Sequence, residues 1–479
     1  MKKKKLLLLS GALVILYVIL LLLLTLFESG SPDGNITSWA DAFWYSLVTM
    51  TTVGYGDFFP VTFGGRIIGF VFLMLSIGFL AFLVSTLTGI LLRRILPNSR
   101  LYLHKAGIWY IFDGYNEESK VLSMELLKER PDGICIFCTE SEEDLPDKRM
   151  LFTKNSVESI LKLHGPKSEH VIFYQSEDEE HNYKQACGLR DRGSIVAKTH
   201  QHPDRIPLNV TLFDPYENVA REYWKRYPLD LKKKEKPEAE LVLIGEGIYA
   251  RNLLERALLT NIYSSDQKIT YHLYGDWQHF LRNHYRMEEA LLCDRAVFHD
   301  EDWNSDPALL IRAERIILCQ DNDQENRETL GELRRFFPAE GEVHIHLSQK
   351  QENEITFGSM EEIYTSEAVL RQELQKTARK LHERYRSSAD YEVPAWEDLS
   401  EFLRQSNLAA ADHLLTKIRL LLPEREIPEI NTDICKEAWK VYTETYDSCK
   451  DEYRKIEHIR WERFHRLNNW SYAEVRNNA

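Results

Sequence analysis

Cysteine is scarce and unframed. Seven residues are scattered along 479, which fits a reduced compartment rather than a disulfide scaffold. Cys135 and Cys138 make one C-x-x-C inside the apolar run 134–138, with no second pair anywhere. Strand packing accounts for them, with redox or metal use as the alternative. Positive charge is also in deficit. Lys and Arg number 60 against 74 Asp and Glu, a formal net charge of −14, which argues against nucleic acid as a bulk partner. Metal-ligand spacing is missing too. The acidic loop 140–147 has charge to attract a divalent cation but no regular ligand pattern, so it reads as a solvated loop. His458, between Glu457 and Arg460, is not a metal site.

What is abundant is long apolar sequence near the start. Lys2 to Lys5 precede an apolar run over 6–27, close to the roughly 20 residues that span a bilayer. It is too long for a cleaved signal peptide, and no small-x-small cleavage site follows it. A second run covers 63–92 and closes on Arg93 and Arg94. The loop 28–35 between them carries no Lys or Arg. Basic residues at both far ends and none in the middle place both termini in the cytoplasm of a cell-membrane protein. Arg66, near the outer start of the second run, snorkels or pairs, so it is not read as a voltage sensor.

Residues 38–50 read as a short helix with Ser38 as N-cap and Asp41 in its first turn. Its C-terminal, negative end points at Thr51, Thr52, Val53, Gly54, Tyr55, Gly56 and Asp57. This stretch resembles the selectivity filter of potassium channels. Such a filter replaces the hydration shell of an ion with rings of backbone carbonyls. Gly54 and Gly56 permit consecutive carbonyls to face one way, Thr52 adds a hydroxyl ring, and Tyr55 packs outward as a spacer. Trp44 and Tyr45 would belong to the aromatic cuff behind it. The resemblance implies K+ as permeant ion, a homotetramer, and lipid as surroundings. Two-helix potassium channels carry a hinge glycine where this chain has Ser76, with Gly78 two residues on, so the position of the gating hinge stays open.

The remainder is long enough for two or three domains. A strand over 108–112, the turn Asp113-Gly114-Tyr115-Asn116, a helix over 119–130 and a strand over 134–138 make a β-α-β start. It resembles the first RCK (regulator of potassium conductance) domain of ligand-gated potassium channels. With only Gly114, it lacks the second glycine that lets backbone approach a pyrophosphate, so this half reads as a scaffold. Further strands are expected at 171–174, 194–198 and 209–214, with a charged linker at 232–237. The pattern then repeats. A strand over 241–244 runs into Gly245, Glu246, Gly247, Ile248, Tyr249 and Ala250, a G-x-G-x-x-A between strand and helix. Gly245 serves the tight turn, Gly247 the phosphate approach, Ala250 close packing, and Asp276 is the candidate for ribose hydroxyls. Residues 315–318 and Cys319-Gln320-Asp321-Asn322-Asp323 resemble the fourth strand and exit loop of TrkA-N/RCK domains, and 343–347 reads as the next strand.

From about residue 370 the chain turns helix-rich and aromatic. Leu381-His382-Glu383-Arg384-Tyr385, Trp396-Glu397-Asp398-Leu399, Glu457-His458-Ile459-Arg460-Trp461 and Asn469-Trp470-Ser471-Tyr472 together resemble the small ryanodine-receptor-type (RyR) domain. A second ligand site is expected there from Arg404, Asn407, His458, Arg460, Trp461 and Trp470. Tryptophans would offer faces for a base and arginines would hold phosphate; core tryptophans and surface ion pairs are the competing account.

The expected fold is a membrane α-helical pore, two transmembrane helices plus a re-entrant pore helix, joined to tandem α/β Rossmann-like domains and a small mainly α-helical C-terminal domain. The expected boundaries are 1–96 for the pore, 97–104 for a linker, 105–230 and 238–365 for the two RCK domains, and 370–479 for the RyR-like domain. The expected function is a potassium channel gated by a cytoplasmic ligand, NAD or an adenine nucleotide. No acid, base or nucleophile constellation flanks the Gly245 motif, so no catalytic residue is assigned. A membrane-anchored NAD(P)-dependent oxidoreductase and a regulatory subunit of a separate transporter are the alternatives.

Overall fold

The computed structural model describes residues 2–90, 107–141, 143–163, 169–189, 193–200, 206–229, 237–370 and 372–471. Arg93, Arg94, Tyr472 and the expected linkers at 97–104 and 232–236 lie outside the described residues. The chain divides into two units, Met1–Lys105 and Ala106–Ala479.

The first unit has three helices, α1 (Lys2–Glu28), α2 (Trp39–Met50) and α3 (Phe63–Ile90). The stretch Phe63–Gly89 is apolar and long enough to cross a membrane. Ser38 caps α2 in a reciprocal box: the Asp41 N–H donates to Ser38 Oγ, and the Ser38 N–H donates to Asp41 Oδ2. Leu21, Leu24, Ile36, Ala42, Ile68 and Phe72 form the core of the unit. Residues 58–62, which lead into α3, have no regular structure, so their backbone donors need side-chain partners. Glu28, fully buried, supplies them. Its carboxylate accepts from the Val61 N–H at 2.9 Å, the Thr62 N–H at 3.0 Å and the Thr62 hydroxyl at 2.6 Å. A Cβ on Gly65 would overlap that carboxylate. Helix α3 runs unbroken through Ser76 and Gly78. Ser76 is buried and returns its hydroxyl to Leu73 O at 2.7 Å.

The second unit is built on two parallel six-stranded sheets. The first contains β1 (Ile108–Phe112), α4 (Glu117–Glu129), β2 (Gly133–Phe137), β3 (Met150–Phe152), α5 (Val157–Leu163), β4 (Glu169–Tyr174), α6 (Glu179–Gly188), β5 (Ser194–Lys198), β6 (Val210–Phe213) and α7 (Pro215–Arg226). The second contains β7 (Glu238–Ile244), α8 (Ile248–Thr260), β8 (Lys268–Tyr274), α9 (Gln278–Asn283), α10 (Met287–Leu291), β9 (Arg295–His299), α11 (Pro307–Arg312), β10 (Arg315–Leu318), α12 (Asp323–Phe336), β11 (Glu342–His346) and β12 (Ile355–Phe357). The orders are β3-β2-β1-β4-β5-β6 and β12-β11-β10-β7-β8-β9, the doubly wound order twice over. The central strands are apolar runs buried on both faces, as covered parallel sheets require. The edge strands β3, β9 and β12 were not among those expected.

The two sheets are repeats of one unit down to a buried asparagine. Asn182 Nδ2 donates to Ser176 O at 2.8 Å and Lys198 O at 2.9 Å, and its Oδ1 accepts from the Ser176 N–H. Asn326 Nδ2 donates to Gln320 O at 2.9 Å and His346 O at 3.1 Å, and its Oδ1 accepts from the Gln320 N–H. Each ties the loop after the fourth strand to the end of the fifth.

The C-terminal part adds α13 (Met360–Ile363), α14 (Ser366–Leu370), α15 (Gln372–Ser388), α16 (Glu401–Leu421), α17 (Thr432–Glu444) and α18 (Tyr446–Leu467). It is mainly helical, as expected, and shares its core with the sheets: Ala409, Phe464 and Leu467 join the cluster around β7 and α8. The reason is polar as well as apolar. Helix α8 ends buried, where its last carbonyls need donors. Arg463 donates to Leu258 O at 3.1 Å, Thr416 to Thr260 O at 3.1 Å, and His413 Nε2 to Ile262 O at 2.9 Å. Arg463 also pairs with buried Asp294 at 2.6 Å.

Where α7, α8 and α16 meet, four charges close a ring. Arg221 pairs with Glu217 at 2.8 Å and Asp412 at 2.9 Å. Arg256 pairs with Asp412 at 2.6 Å and also with Glu217. All four are nearly out of water, Asp412 with 6% of its side chain exposed. Burial alone would lower the Arg221 pKa, but Asp412 and Glu217 outweigh it and raise it.

Breaking one member strands buried charge. Asp412→Asn is expected to cost about 3–5 kcal/mol of stability, the usual penalty for halving a buried ion pair, read from urea unfolding of the purified protein. Acid should act through His413. Burial, reinforced by Lys417, pushes its pKa down to about 3. A depressed histidine contributes stability that is complete above its unfolded value near 6.5 and is lost as pH falls toward 3. The fall in melting temperature between pH 7 and about pH 5 should therefore be smaller in His413→Gln than in wild type.

Candidate functional site

Helix α2 ends at Met50 and the chain turns sharply back on it. The N–H groups of Thr51, Thr52, Val53 and Gly54 donate to Leu47 O, Thr49 O, Val48 O and Val48 O at 2.9, 3.1, 3.0 and 3.3 Å. The amides are thereby spent on the pore helix, while the carbonyls of the same residues remain available. Three residues take positive φ: Thr52 at 59°, Gly54 at 63° and Gly56 at 75°. Val53 and Tyr55 between them do not, so left-handed and ordinary backbone alternate. Alternation of this kind is the backbone pattern of nests, which align successive peptide groups. Two positions are glycine, which bears the left-handed region without cost; Thr52 is not, and carries strain. Open space surrounds both glycines, so conformation rather than contact dictates them. Trp44 Nε1 donates to Asp57 Oδ2 at 2.8 Å, and its ring lies parallel to Tyr55 with centroids 6.3 Å apart. Tyr45 packs into the core of the unit, and its hydroxyl lies 2.7 Å from where a Cβ on Gly69 would sit.

In the second sheet, Gly245 takes φ 157° and packs on Cys319, Gly247 is the N-cap of α8, and Ala250 is fully buried against the sheet. The helix N-terminus already has an occupant. Asp321, in the loop after β10, accepts from the Ile248 N–H at 3.3 Å and the Tyr249 N–H at 3.5 Å, and a Cβ on Gly247 would overlap its carboxylate. Asp276 lies beside the turn despite its distance in sequence. Its N–H donates to Glu246 Oε2 at 2.8 Å, while its carboxylate caps the Gln278 N–H at 2.9 Å. Tyr249 stacks on His346 at 4.0 Å and edge-on to Tyr216 at 4.7 Å, so the motif sits where the two sheets' ends meet. Burial pushes His346 down to about 4, keeping it neutral. The corresponding acid of the first sheet, Glu177, is held instead by Lys198 at 3.0 Å, which also pairs with Glu118. A groove of about 1460 Å³, lined by Tyr227, Tyr263, Phe357 and Arg419 among others, does not touch the motif.

The expected second site is not assembled as read. Arg460 is buried, paired with Glu457 at 2.9 Å and donating to Ser406 O. It is a core ion pair and has no free face for a phosphate. Arg404 donates to the carbonyls of Ile206 and Glu397, and Asn407 to Leu403 O. Trp461 and Trp470 keep exposed faces, the latter stacked on Phe402 at 4.6 Å, and His465 lies between them. His458 stacks on Trp461. Among the described residues no group of His, Cys, Asp and Glu is placed to hold a metal ion.

Residues 8–93 match the Ion_trans_2 family model, described as an ion channel. Over 42 residues the chain is 55% identical to potassium voltage-gated channel subfamily A member 6 of Homo sapiens, covering 9% of this chain and 8% of that protein. The corresponding member 2 of Oncorhynchus mykiss is 52% identical over 42 residues, again 9% and 8%. The chain thus spans under a tenth of the length of the curated relatives it matches. Among solved structures, GsuK bound to ADP overlays with a TM-score of 0.33 and 17% identity, covering 87% of this chain and 98% of that one. The GsuK channel bound to NAD overlays with a TM-score of 0.33 and 14% identity, covering 88% and 85%. At these scores the overall superpositions are loose.

Trp44→Phe keeps the ring and removes the donor to Asp57. Ion current through the reconstituted protein should then decay roughly ten times faster, in line with one charge-assisted hydrogen bond. Trp39→Phe, at a ring stacked on Phe43, should leave the decay unchanged in the same recordings.

Proposed function

We propose that this chain is one subunit of a homotetrameric, potassium-selective channel in the cell membrane, with both termini cytoplasmic. The cytoplasmic unit would set its opening in response to a small ligand, NAD or an adenine nucleotide. The observation that carries the channel reading is the alternating backbone of Thr52, Gly54 and Gly56, with its amides spent on α2 and its carbonyls available. A single strand presents carbonyls to an ion from one side only; four are needed to replace a hydration shell. In one chain Val53 and Tyr55 are 53% and 69% exposed, as expected of surfaces that neighbouring subunits cover.

The ligand reading rests on the Gly245 turn at the switch point of the second sheet, the customary crevice of doubly wound folds. A phosphate there would replace the Asp321 carboxylate, whose bonds to the helix amides are long, at 3.3 and 3.5 Å. The first sheet lacks the second glycine of the motif, and its corresponding acid, Glu177, pairs with Lys198. Ligand binding moves the pore only by favouring one arrangement of the cytoplasmic unit over the other. An oxidoreductase would need an acid–base constellation beside Gly245 and would have no use for residues 51–57.

The purified full chain, recorded in planar bilayers under bi-ionic K+/Na+ conditions, tests both parts. Wild type should reverse near the K+ potential and Gly54→Ala should not; equal reversal potentials would sink the filter assignment. NAD or ADP on the cytoplasmic side should change open probability in wild type and not in Gly247→Asp. An identical response in both would move the ligand away from this turn.

A further inference from the structure

The filter exit is gripped by a residue from the loop between α1 and α2. Asn35 Nδ2 donates to Asp57 O at 2.7 Å, and Asn35 Oδ1 accepts from the Phe59 N–H at 3.2 Å. One side-chain amide therefore satisfies a carbonyl and an amide two residues apart, in a stretch with no regular backbone partners. The loop is built to deliver it. The Ser31 N–H donates to Glu28 O at 3.1 Å and the Gly34 N–H to Ser31 O at 3.1 Å, folding the loop onto the end of α1. A Cβ on Gly34 would lie 2.7 Å from Glu28 O, so glycine lets the chain pass close enough. Ile36, fully buried in the core of the unit, anchors the far side.

Asp57 is consequently held at two places by two elements, its carboxylate by Trp44 and its carbonyl by Asn35. The next amides along, Val61 and Thr62, belong to Glu28. The path from filter to α3 is thus clamped in sequence by α2, the loop and the end of α1. Asn35 bonds to the backbone on both sides of Phe58.

We propose that Asn35 is a positioning residue for conduction: it holds the outer end of the filter in its conducting geometry, and its loss lets the filter collapse. This rests on the channel reading given above. An asparagine is suited to the task because one planar group donates and accepts at once. Asparagine at 35 lies in a polar loop, so its role is invisible in the sequence.

The test is recording from the purified full chain, wild type against Asn35→Leu and Asn35→Asp. Leucine keeps the size and removes both bonds; aspartate keeps the acceptor for Phe59 and loses the donor to Asp57. Current should decay during sustained opening about tenfold faster in Asn35→Leu, with a smaller effect in Asn35→Asp, in line with hydrogen bonds of ordinary worth. Raising external K+ should slow that decay, because an occupied filter resists collapse; a merely structural role would not respond to the ion. A variant that melts like wild type yet conducts only in high K+ is the extreme form of the same result. Unchanged decay and unchanged K+/Na+ selectivity in both variants would overturn the proposal. If wild type itself passes no selective current, the channel reading fails instead, which keeps the two failures distinct.

Discussion

Two guanidinium groups and two carboxylates, placed out of water between three helices, hold the second unit together. Each charge in the Glu217–Arg221–Arg256–Asp412 ring touches two of the opposite sign. Such a ring adds little net stability over a well-packed apolar contact, yet it is costly to leave incomplete. Its members come from the last helix of the first sheet, the first helix of the second, and the helical C-terminal part. None of the three can shift alone without stranding a charge. Specific docking of the three segments, more than raw stability, is what this arrangement provides.

The two sheets share a design and differ where it counts. Asn182 and Asn326 make the same three bonds in each. After the fourth strand, however, one sheet places Glu177 on a lysine and the other places Asp321 on bare helix amides. The first arrangement is closed by a charge pair. The second leaves a helix N-terminus covered by long hydrogen bonds from Asp321, at the turn where Gly245 packs on Cys319 and Gly247 on Asp321.

Much of this was legible in the sequence where the information is local. Ser38 and Asp41 announce the start of α2, the apolar runs 108–112 and 241–244 fall on buried strands, and Gly54 and Gly56 take the left-handed backbone their type suggests. What was not legible depends on partners far away in the chain. Glu28 looks like the polar end of an apolar run, but its role comes from Val61 and Thr62. Asp321 shares a loop signature with its neighbours, and only the fold brings it to Gly247. Arg460 reads as a surface cation until Glu457 and the Ser406 carbonyl enclose it. The strands β3, β9 and β12 lie at sheet edges; β3 and β12 have three residues each, and β9 lacks the continuous apolar run of the central strands.

The glycine at 65 has a mechanical meaning for the pore. Its missing side chain is the space in which the Glu28 carboxylate reaches the first turn of α3. A Cβ on neighbouring Gly64 would lie 3.0 Å from the ring of Phe27, and one on Gly69 2.7 Å from the Tyr45 hydroxyl. The outer end of α3 is therefore fixed to α1 and α2 by contacts with no slack, whereas the helix carries no break further down. A rod pinned at one end and unjointed along its length moves as a lever. Displacement grows with distance from the pin, so a small change of angle at the first turn of α3 becomes a large displacement near Ile90.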